Sequence, residues 1–392
     1  MFHWLLDFFN SKRWCANSML PPQHPQTATM TGPNIDPGDI PKPRLVAWET
    51  TRNCNLNCVH CRAAATCGPY GGELDTRAAY TLLDQIAEIA KPIIILTGGE
   101  PLLRDDIFDI AKYGAAKGMR MVMAPNGTLV TKEVAMRMGD AGIQRISVSL
   151  DGSTAEAHDA FRGVEGAYQG ALRGIKNAKA AGIDFQINTT ITKTNLEQIP
   201  KILALAESLG AVAHHIFLLV PTGRGKYIID QEIDAKEYEE TLNWFYDQRQ
   251  KTDLQLKATC APHYYRILRQ RARADGQAVT FESHGLDAIS RGCLAATGFC
   301  FVSHRGIVQP CGFLDLNCGD ITRQSFAEIW RTSKHFEILR DFKKLKDKCG
   351  RCQYRRVCGG CRARAYEASG DYLGAEPLCQ YSPPKGVDGE FC

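Results

Sequence analysis

No stretch of the chain holds the roughly eighteen uninterrupted apolar residues that a membrane-spanning helix requires. The two signs of charge nearly cancel, 47 basic against 43 acidic side chains, so composition offers no case for nucleic acid or an anionic membrane as a partner. A secretory leader is missing as well, because the apolar run within Met1 to Asn10 is broken by Asp7 and has no small-residue cleavage site behind it. These absences predict a cytoplasmic protein in a reducing compartment, where disulfides do not persist. Cysteine is what the chain has in excess, 16 in 392 residues, far more than packing alone would keep. Thiolate ligands for metal are then the leading explanation. The length suggests two or three domains, and 44% apolar with 23% charged residues excludes wholesale disorder.

Residues 1–43 read as an N-terminal extension and proline-rich linker, with Pro21, Pro22, Pro25, Pro33, Pro37, Pro41 and Pro43. From Arg44 onward short β-branched runs alternate with amphipathic segments. The strands expected are 45–49, 93–97, 120–124, 145–150, 185–191 and 215–220, and the helices 75–90, 106–117, 132–141, 155–181 and 195–209. Six β-then-α units in series predict an α/β fold, a partial (β/α)6 barrel over 44–234 rather than a closed eight-stranded one. Residues 235–290 read as a helical connection. Residues 291–392 hold most of the cysteines, many glycines and only short regular elements, which suggests a small domain built around metal.

Directly after the first strand come Cys54, Cys58 and Cys61, spaced three and then two residues apart. Three thiolates on such a loop can hold three irons of a cubane and leave the fourth open to a substrate. Zinc is the alternative, but it asks for four protein ligands in paired spacings. With a parallel barrel behind it, this loop resembles that of the radical S-adenosylmethionine (SAM) family. The resemblance implies a [4Fe-4S] cluster whose open iron binds the amino and carboxylate groups of SAM and delivers the electron that cleaves it. Gly98-Gly99-Glu100 looks like that family's Gly-Gly-Glu motif, with Glu100 accepting from the SAM ammonium. Asn126, Ser149, Asp151 and Asn188 stand at strand ends where the family places SAM contacts, and Arg162 suits a clamp on the SAM carboxylate. Each of these also suits a turn or helix cap, Asp151 equally well. Where the family usually has Tyr or Phe before the third cysteine, this chain has His60, which can still stack on adenine.

The C-terminal cysteines form a second pattern: Cys293, then Gly306 and Cys311, then Cys349-x-x-Cys352, Cys358-x-x-Cys361 and Cys379. In isolation, paired Cys-x-x-Cys units also fit a double zinc ribbon. Behind a cubane loop the pattern is similar to the SPASM extension, which holds auxiliary [4Fe-4S] clusters, although SPASM normally puts three residues between Cys358 and Cys361 where two stand here. The family's interleaved ligation implies Cys349, Cys352, Cys358 and Cys379 for one auxiliary cluster and Cys293, Cys311 and Cys361 for the other, with Cys300 as its fourth ligand. Cys15, Cys67, Cys260, Cys318 and Cys392 are left without a role.

Whole stretches, 44–54, 61–65, 210–226, 257–266 and 358–365, resemble the tetrapyrrole-modifying branch of the radical SAM/SPASM proteins and, within it, the heme b synthases of the siroheme-dependent route. That implies oxidative decarboxylation of two propionates of Fe-coproporphyrin III to vinyl groups, giving heme b, with a flavodoxin- or ferredoxin-type electron donor. Sister activities in the branch remove acetates from didecarboxysiroheme or act in heme d1 synthesis. A peptide-modifying maturase and a non-enzymatic iron-sulfur carrier are the readings outside it. A substrate with several carboxylates asks for cationic contacts. Arg224 and Lys226 after the sixth strand, Arg266 with Arg269 and Arg273 on one helical face, and His215, His263 and Tyr264 are the candidates, a solvated basic face and satisfied structural histidines being the bland readings.

Overall fold

The computed structural model describes residues 40–384, so most of the proline-rich extension, Cys15 and Cys392 lie outside the described residues. All six expected strands form: β1 (Leu45–Thr51), β2 (Ile93–Gly98), β3 (Arg120–Met123), β4 (Ile143–Ser149), β5 (Asp184–Ile191) and β6 (Ala213–Leu218). They pair in parallel, in chain order, with the expected helices between them. The sheet then continues beyond the sequence reading. β7 (Gln255–Thr259) adds in parallel to β6, β8 (Phe299–Val302) adds in parallel to the other side of β1, and β9 (Ile307–Gln309) and β10 (Gly319–Asp320) extend that edge antiparallel. β7 and β8 form no ladder with each other, so the barrel stays open along that seam. β7 lies inside 235–290, the stretch read as helical, and its Gln-Leu-Lys-Ala-Thr holds only two apolar residues, too few for the alternation to show.

Strand alternation sorts the side chains. Val46, Trp48, Ile94, Leu96, Met121, Met123, Ile146, Val148, Ile187, Ile216, Leu256 and Cys300 point outward into one buried core with Leu82, Leu83 and Ile86 of α1 (Thr76–Ile89) and Ile202 of the helix Ile199–Leu209. Each such buried aliphatic side chain contributes about 2 kcal/mol. The opposite face carries Glu49, Thr97, Ser147, Ser149, Asn188, His215 and Lys257 and lines the lumen.

The expected long helix at 155–181 is two helices, α2 (Ala155–Arg162) and α3 (Ala167–Ala180). Gly163 at φ +68° caps α2 in the left-handed region, and a Cβ there would stand 2.4 Å from the Asn57 carbonyl oxygen. This break brings the end of α2 against the cysteine loop. No helix among the described residues is long and apolar enough to cross a membrane.

Candidate iron-sulfur and SAM site

The loop after β1 holds Cys54, Cys58 and Cys61 by contacts from three directions. Asn57 N–H donates to the Arg162 carbonyl (3.2 Å) and Val59 N–H to Phe161 (3.0 Å), both from the end of α2. Cys54 N–H donates to the Thr66 carbonyl (3.0 Å). From the far side of the barrel Arg224 donates through Nε to the Cys58 carbonyl (2.8 Å) and through Nη1 to that of Ala65 (2.6 Å). Arg224 is therefore a staple of the loop: two of its guanidinium nitrogens are committed to loop carbonyls, and the third, Nη2, is buried without a partner among the described residues.

Each of the three sulfurs has an N–H aimed at it: Leu56 N–H at Cys54 (3.4 Å), Ala65 N–H at Cys61 (3.4 Å) and Nη1 of Arg162 at Cys58 (3.6 Å). Donors placed this way favour thiolate over thiol and are the surroundings that iron-sulfur ligands use. Burial pushes the free Cys54 thiol up to about 11, so Cys54 gives up its proton when a cation arrives. Arg162 is also ion-paired to buried Asp151, which accepts from Thr190 N–H (2.7 Å); its Nε has no partner. His60 lies over Phe161, 4.4 Å between ring centres, so that ring is already occupied on one face.

The Gly-Gly-Glu turn packs straight onto this loop. A Cβ on Gly98 would fall 2.2 Å from the Thr51 oxygen and one on Gly99 2.3 Å from that of Asn53, so no other residue fits. Glu100 is fully buried, accepts from Asn126 N–H (2.7 Å) and Leu102 N–H (3.1 Å), and burial raises it to about 7. The Asn126 side chain closes the turn on Thr128 and donates to Asn55 in the cysteine loop (2.8 Å). Ser149, Asn188, His215 and Lys257 stand level with one another across β4 to β7, a polar row over the lumen. Gln186 donates to Asn188 (3.0 Å) and sits 3.0 Å from Nδ1 of His215.

Two further groups of cysteines are gathered elsewhere in the fold. Cys349, Cys352, Cys358 and Cys379 line one cavity with His263, Arg266 and Lys348. Again N–H groups face the sulfurs: Tyr354 to Cys352 (3.4 Å), Gly360 to Cys358 (3.4 Å) and Arg362 to Cys349 (3.6 Å), while His263 holds Cys379 below the ordinary thiol range. In the other group the thiols of Cys293, Cys311 and Cys361 are joined by Cys260, whose thiol is pushed up by burial and, to a smaller extent, by the charges of those three neighbours. Cys260 follows β7 in left-handed backbone (φ +56°), a strained conformation for a side-chain-bearing residue. Its carbonyl accepts from Arg364 (3.2 Å). Cys300 is corrected: it pairs with Val46 on β8, alternation turns it outward, and Cys318 is its neighbouring thiol. No three His, Cys, Asp or Glu side chains among the described residues close on a point as a single ion needs. A cubane spreads its thiolates over separate corners, and these groups suit it better than zinc.

Three substrate candidates also find other places. Tyr264 is buried against Phe245 and Tyr265, and Arg266 pairs with Glu239 (2.8 Å) beside the second cysteine group. His263 is fully buried between Cys379 and Glu376, out of reach of the lumen. A network that the sequence reading missed joins the two halves. Glu49, at the lumen end of β1, takes Arg62 (2.8 Å), Arg52 (3.2 Å) and His304 (2.7 Å), and Arg62 donates on to the Gly312 carbonyl (3.3 Å) beside Cys311. These partners overcome burial and hold Glu49 at about 2.

Residues 48–206 match the model of the radical SAM superfamily and 293–353 that of an iron-sulfur cluster-binding domain, SPASM. The chain is 55% identical to an AdoMet-dependent heme synthase of Nitratidesulfovibrio vulgaris over 91% of its own length and 97% of that protein's. An Fe-coproporphyrin III synthase of Methanosarcina barkeri is 32% identical over 86% and 88%. In three dimensions it resembles Streptococcus suis SuiB bound to S-adenosylmethionine, with a TM-score of 0.69 at 17% identity, covering 86% of this chain and 77% of that one; this likeness concerns the fold. The protein is thus a radical SAM enzyme whose cofactors are a [4Fe-4S] cluster with SAM and auxiliary iron-sulfur clusters. The chain belongs to the radical SAM/SPASM family, in the group that contains the AdoMet-dependent heme synthases.

Proposed function

We propose that the protein converts two propionate side chains of Fe-coproporphyrin III to vinyl groups, forming heme b. The observation that carries this reading is the near full-length likeness to AdoMet-dependent heme synthases, on a chain whose three-cysteine loop follows the first strand of a barrel with a polar lumen. Cys54, Cys58 and Cys61 would hold the SAM cluster, and the turn of Gly98, Gly99 and Glu100, with Asn126, Ser149, Asp151, Arg162 and Asn188 around it, would hold SAM. Cys349, Cys352, Cys358 and Cys379 would hold one auxiliary cluster and Cys260, Cys293, Cys311 and Cys361 the other. We assign the six-strand body of the barrel to 44–234, the connection to 235–290, which adds β7 to it, and the auxiliary domain to 291–392, which adds β8.

When bound, these groups supply a hydrogen-abstracting 5′-deoxyadenosyl radical and an acceptor for one electron. The propionate Cβ–H is too inert for any acid or base this chain offers. Overall each propionate loses one hydrogen atom, one electron and carbon dioxide, which leaves the carbon–carbon double bond. The chain's own part is placement. The Arg224 staple and the end of α2 fix the cysteine loop, the Glu49 network sets the auxiliary domain over it, and the apolar outer face of the sheet keeps water from the lumen's wall. A flavodoxin- or ferredoxin-type donor in a reducing cytoplasm fits the electron demand.

Anaerobic incubation of the reconstituted protein with SAM, reductant and Fe-coproporphyrin III, followed by mass analysis, tests the reading. Mono- and divinyl products are expected, the first appearing before the second. Acetate loss from didecarboxysiroheme in place of these products would move the protein to the sister activity.

A further inference from the structure

Elsewhere among the described residues buried guanidinium groups meet carboxylates, as Arg364 does Glu232 and Glu376, Arg162 Asp151, Arg104 Asp106 and Arg266 Glu239, or they meet carbonyls and a ring face, as Arg269, Arg362 and Arg291 do. The lumen breaks that pattern. Arg120 on β3, Arg145 on β4 and Lys257 on β7 share the inward face of their strands, because their neighbours Met121, Ile146, Leu256 and Ala258 point into the outer core. Among the described residues Arg120 and Lys257 make no ion pair and no hydrogen bond. Arg145 meets only Asp184, at 3.9 Å, and that carboxylate is 56% exposed. The Nε atoms of both arginines are buried and unpartnered.

The three cations act on one region. Burial and Arg120 lower Arg145; burial and, more weakly, Arg44 lower Lys257 against the pull of Asp287, which lies near but makes no ion pair with it; and His215 feels both Lys257 and Arg145. Burial and these neighbours keep His215 neutral, near 3, and Gln186 sits on its Nδ1, so its Nε2 is left for the lumen. Grouping unpaired cations away from solvent is costly, and an anion that enters the lumen recovers that cost.

We propose that Arg120, Arg145 and Lys257 form the carboxylate-binding site of the lumen, which grips the propionates of a tetrapyrrole that survive the reaction. This rests on the function proposed above and deepens it. Two of the four propionates of Fe-coproporphyrin III react and two remain, the latter on adjacent rings along one edge of the macrocycle. Arg145 precedes Ser149 by four residues on β4, about 13 Å along the strand, while Lys257 starts level with Ser149 and its ammonium is near enough to feel Arg44, just before β1. A tetrapyrrole spans a comparable distance. With its retained edge on the cations, its reacting edge points toward the strand ends where the cysteine loop lies. The site would thereby hold one propionate edge and present the other; a macrocycle turned around would also satisfy the cations, so they anchor the substrate without choosing between its edges.

Equilibrium titration of the anaerobic, reconstituted full chain with Fe-coproporphyrin III, followed by visible absorption, tests this. Arg145→Gln and Lys257→Gln are each expected to weaken binding about tenfold, since each removes one charge-assisted contact, and the double variant more. The wild type is expected to lose affinity as salt rises and to bind the uncharged coproporphyrin tetramethyl ester no better than the double variant does. Arg273→Gln, an exposed cation on the helix His263–Ala274, should leave affinity as it is. Iron content and circular dichroism report folding, and Lys257→Met serves if the glutamine variant fails to fold. Wild-type binding that the charge-removing variants do not weaken overturns the carboxylate site and leaves the function standing. Tight wild-type binding of didecarboxysiroheme with none of Fe-coproporphyrin III overturns the proposed substrate, while the same variants still decide the site. A wild type that binds neither overturns both.

Discussion

The two four-cysteine groups of the C-terminal half are built in opposite ways. Cys349, Cys352, Cys358 and Cys379 come from one short stretch, and turns within it aim most of the N–H groups at their sulfurs. Cys260, Cys293, Cys311 and Cys361 come from four separate places: the end of β7, the approach to β8, the turn after β9 and the start of the helix Arg362–Ser369. The first group is a local device that any scaffold could carry. The second is a clasp, since whatever binds it ties the barrel's last strand to the auxiliary domain.

That contrast predicts the largest effect. Cys260→Ala should lose one cluster's iron and sulfide and also loosen the barrel seam, so melting and proteolysis both move. Cys352→Ala should lose the same amount of iron with the barrel's melting little changed. Iron and sulfide analysis with calorimetry on both variants checks this. Full iron content in Cys260→Ala would remove Cys260 from the clasp.

Glu49 makes the second tie between the halves, and Glu49→Gln should lower stability by roughly 3 kcal/mol, because buried Glu49 then no longer compensates Arg52, Arg62 and His304. The pH dependence follows from its lowered pKa. The folded carboxyl titrates near 2 against 4.5 when unfolded, so its contribution is complete above about pH 4.5 and fades as pH falls toward 2. Below pH 5 the wild type should therefore lose melting temperature more steeply than Glu49→Gln; parallel curves would show that the tie carries no stability.

How much of this was legible in the sequence tracks the same contrast. The six parallel strands and the SAM cysteines showed because periodicity and short spacing are local signals, and so did the set from Cys349 to Cys379. The clasp did not. Cys260 stands 33 residues before Cys293 with no spacing to announce it, and β7, which delivers it, has too few apolar residues to alternate visibly. Cys300 was drawn in by its nearness to Cys293 in the chain, but one residue of strand register turns it to the other face of the sheet. Arg224, Arg266 and Tyr264 have the right chemistry for a carboxylated substrate. Only packing shows that other partners hold them, while Arg120, Arg145 and Lys257 are left free of carboxylates at hydrogen-bonding distance among the described residues.

Cys300 gives a smaller test of the same point. With its side chain fully buried beside Cys318, Cys300→Ala should cost about 1 kcal/mol in packing and no iron. Loss of iron in that variant would return Cys300 to a ligand set.

The smallest expected effect lies between the two groups. His263 touches Cys379 and Glu376, Glu376 pairs with Arg364 (3.0 Å), and Arg364 reaches the Cys260 carbonyl (3.2 Å) and that of Leu219 (2.9 Å), so one buried chain of polar contacts runs from the local group to the clasp. A donor on a thiolate favours the reduced, more negative state of a cluster. His263→Phe removes that donor and should lower the potential of the cluster on Cys379 by about 40 mV, if the hydrogen bond strengthens by about 1 kcal/mol on reduction. Redox titration followed by electron paramagnetic resonance reads this cluster apart from the others. The same variant should bind Fe-coproporphyrin III as the wild type does, because His263 is closed off from the lumen. Weakened porphyrin binding with an unmoved potential would place the substrate at the local group instead and would reverse the division of labour between the two.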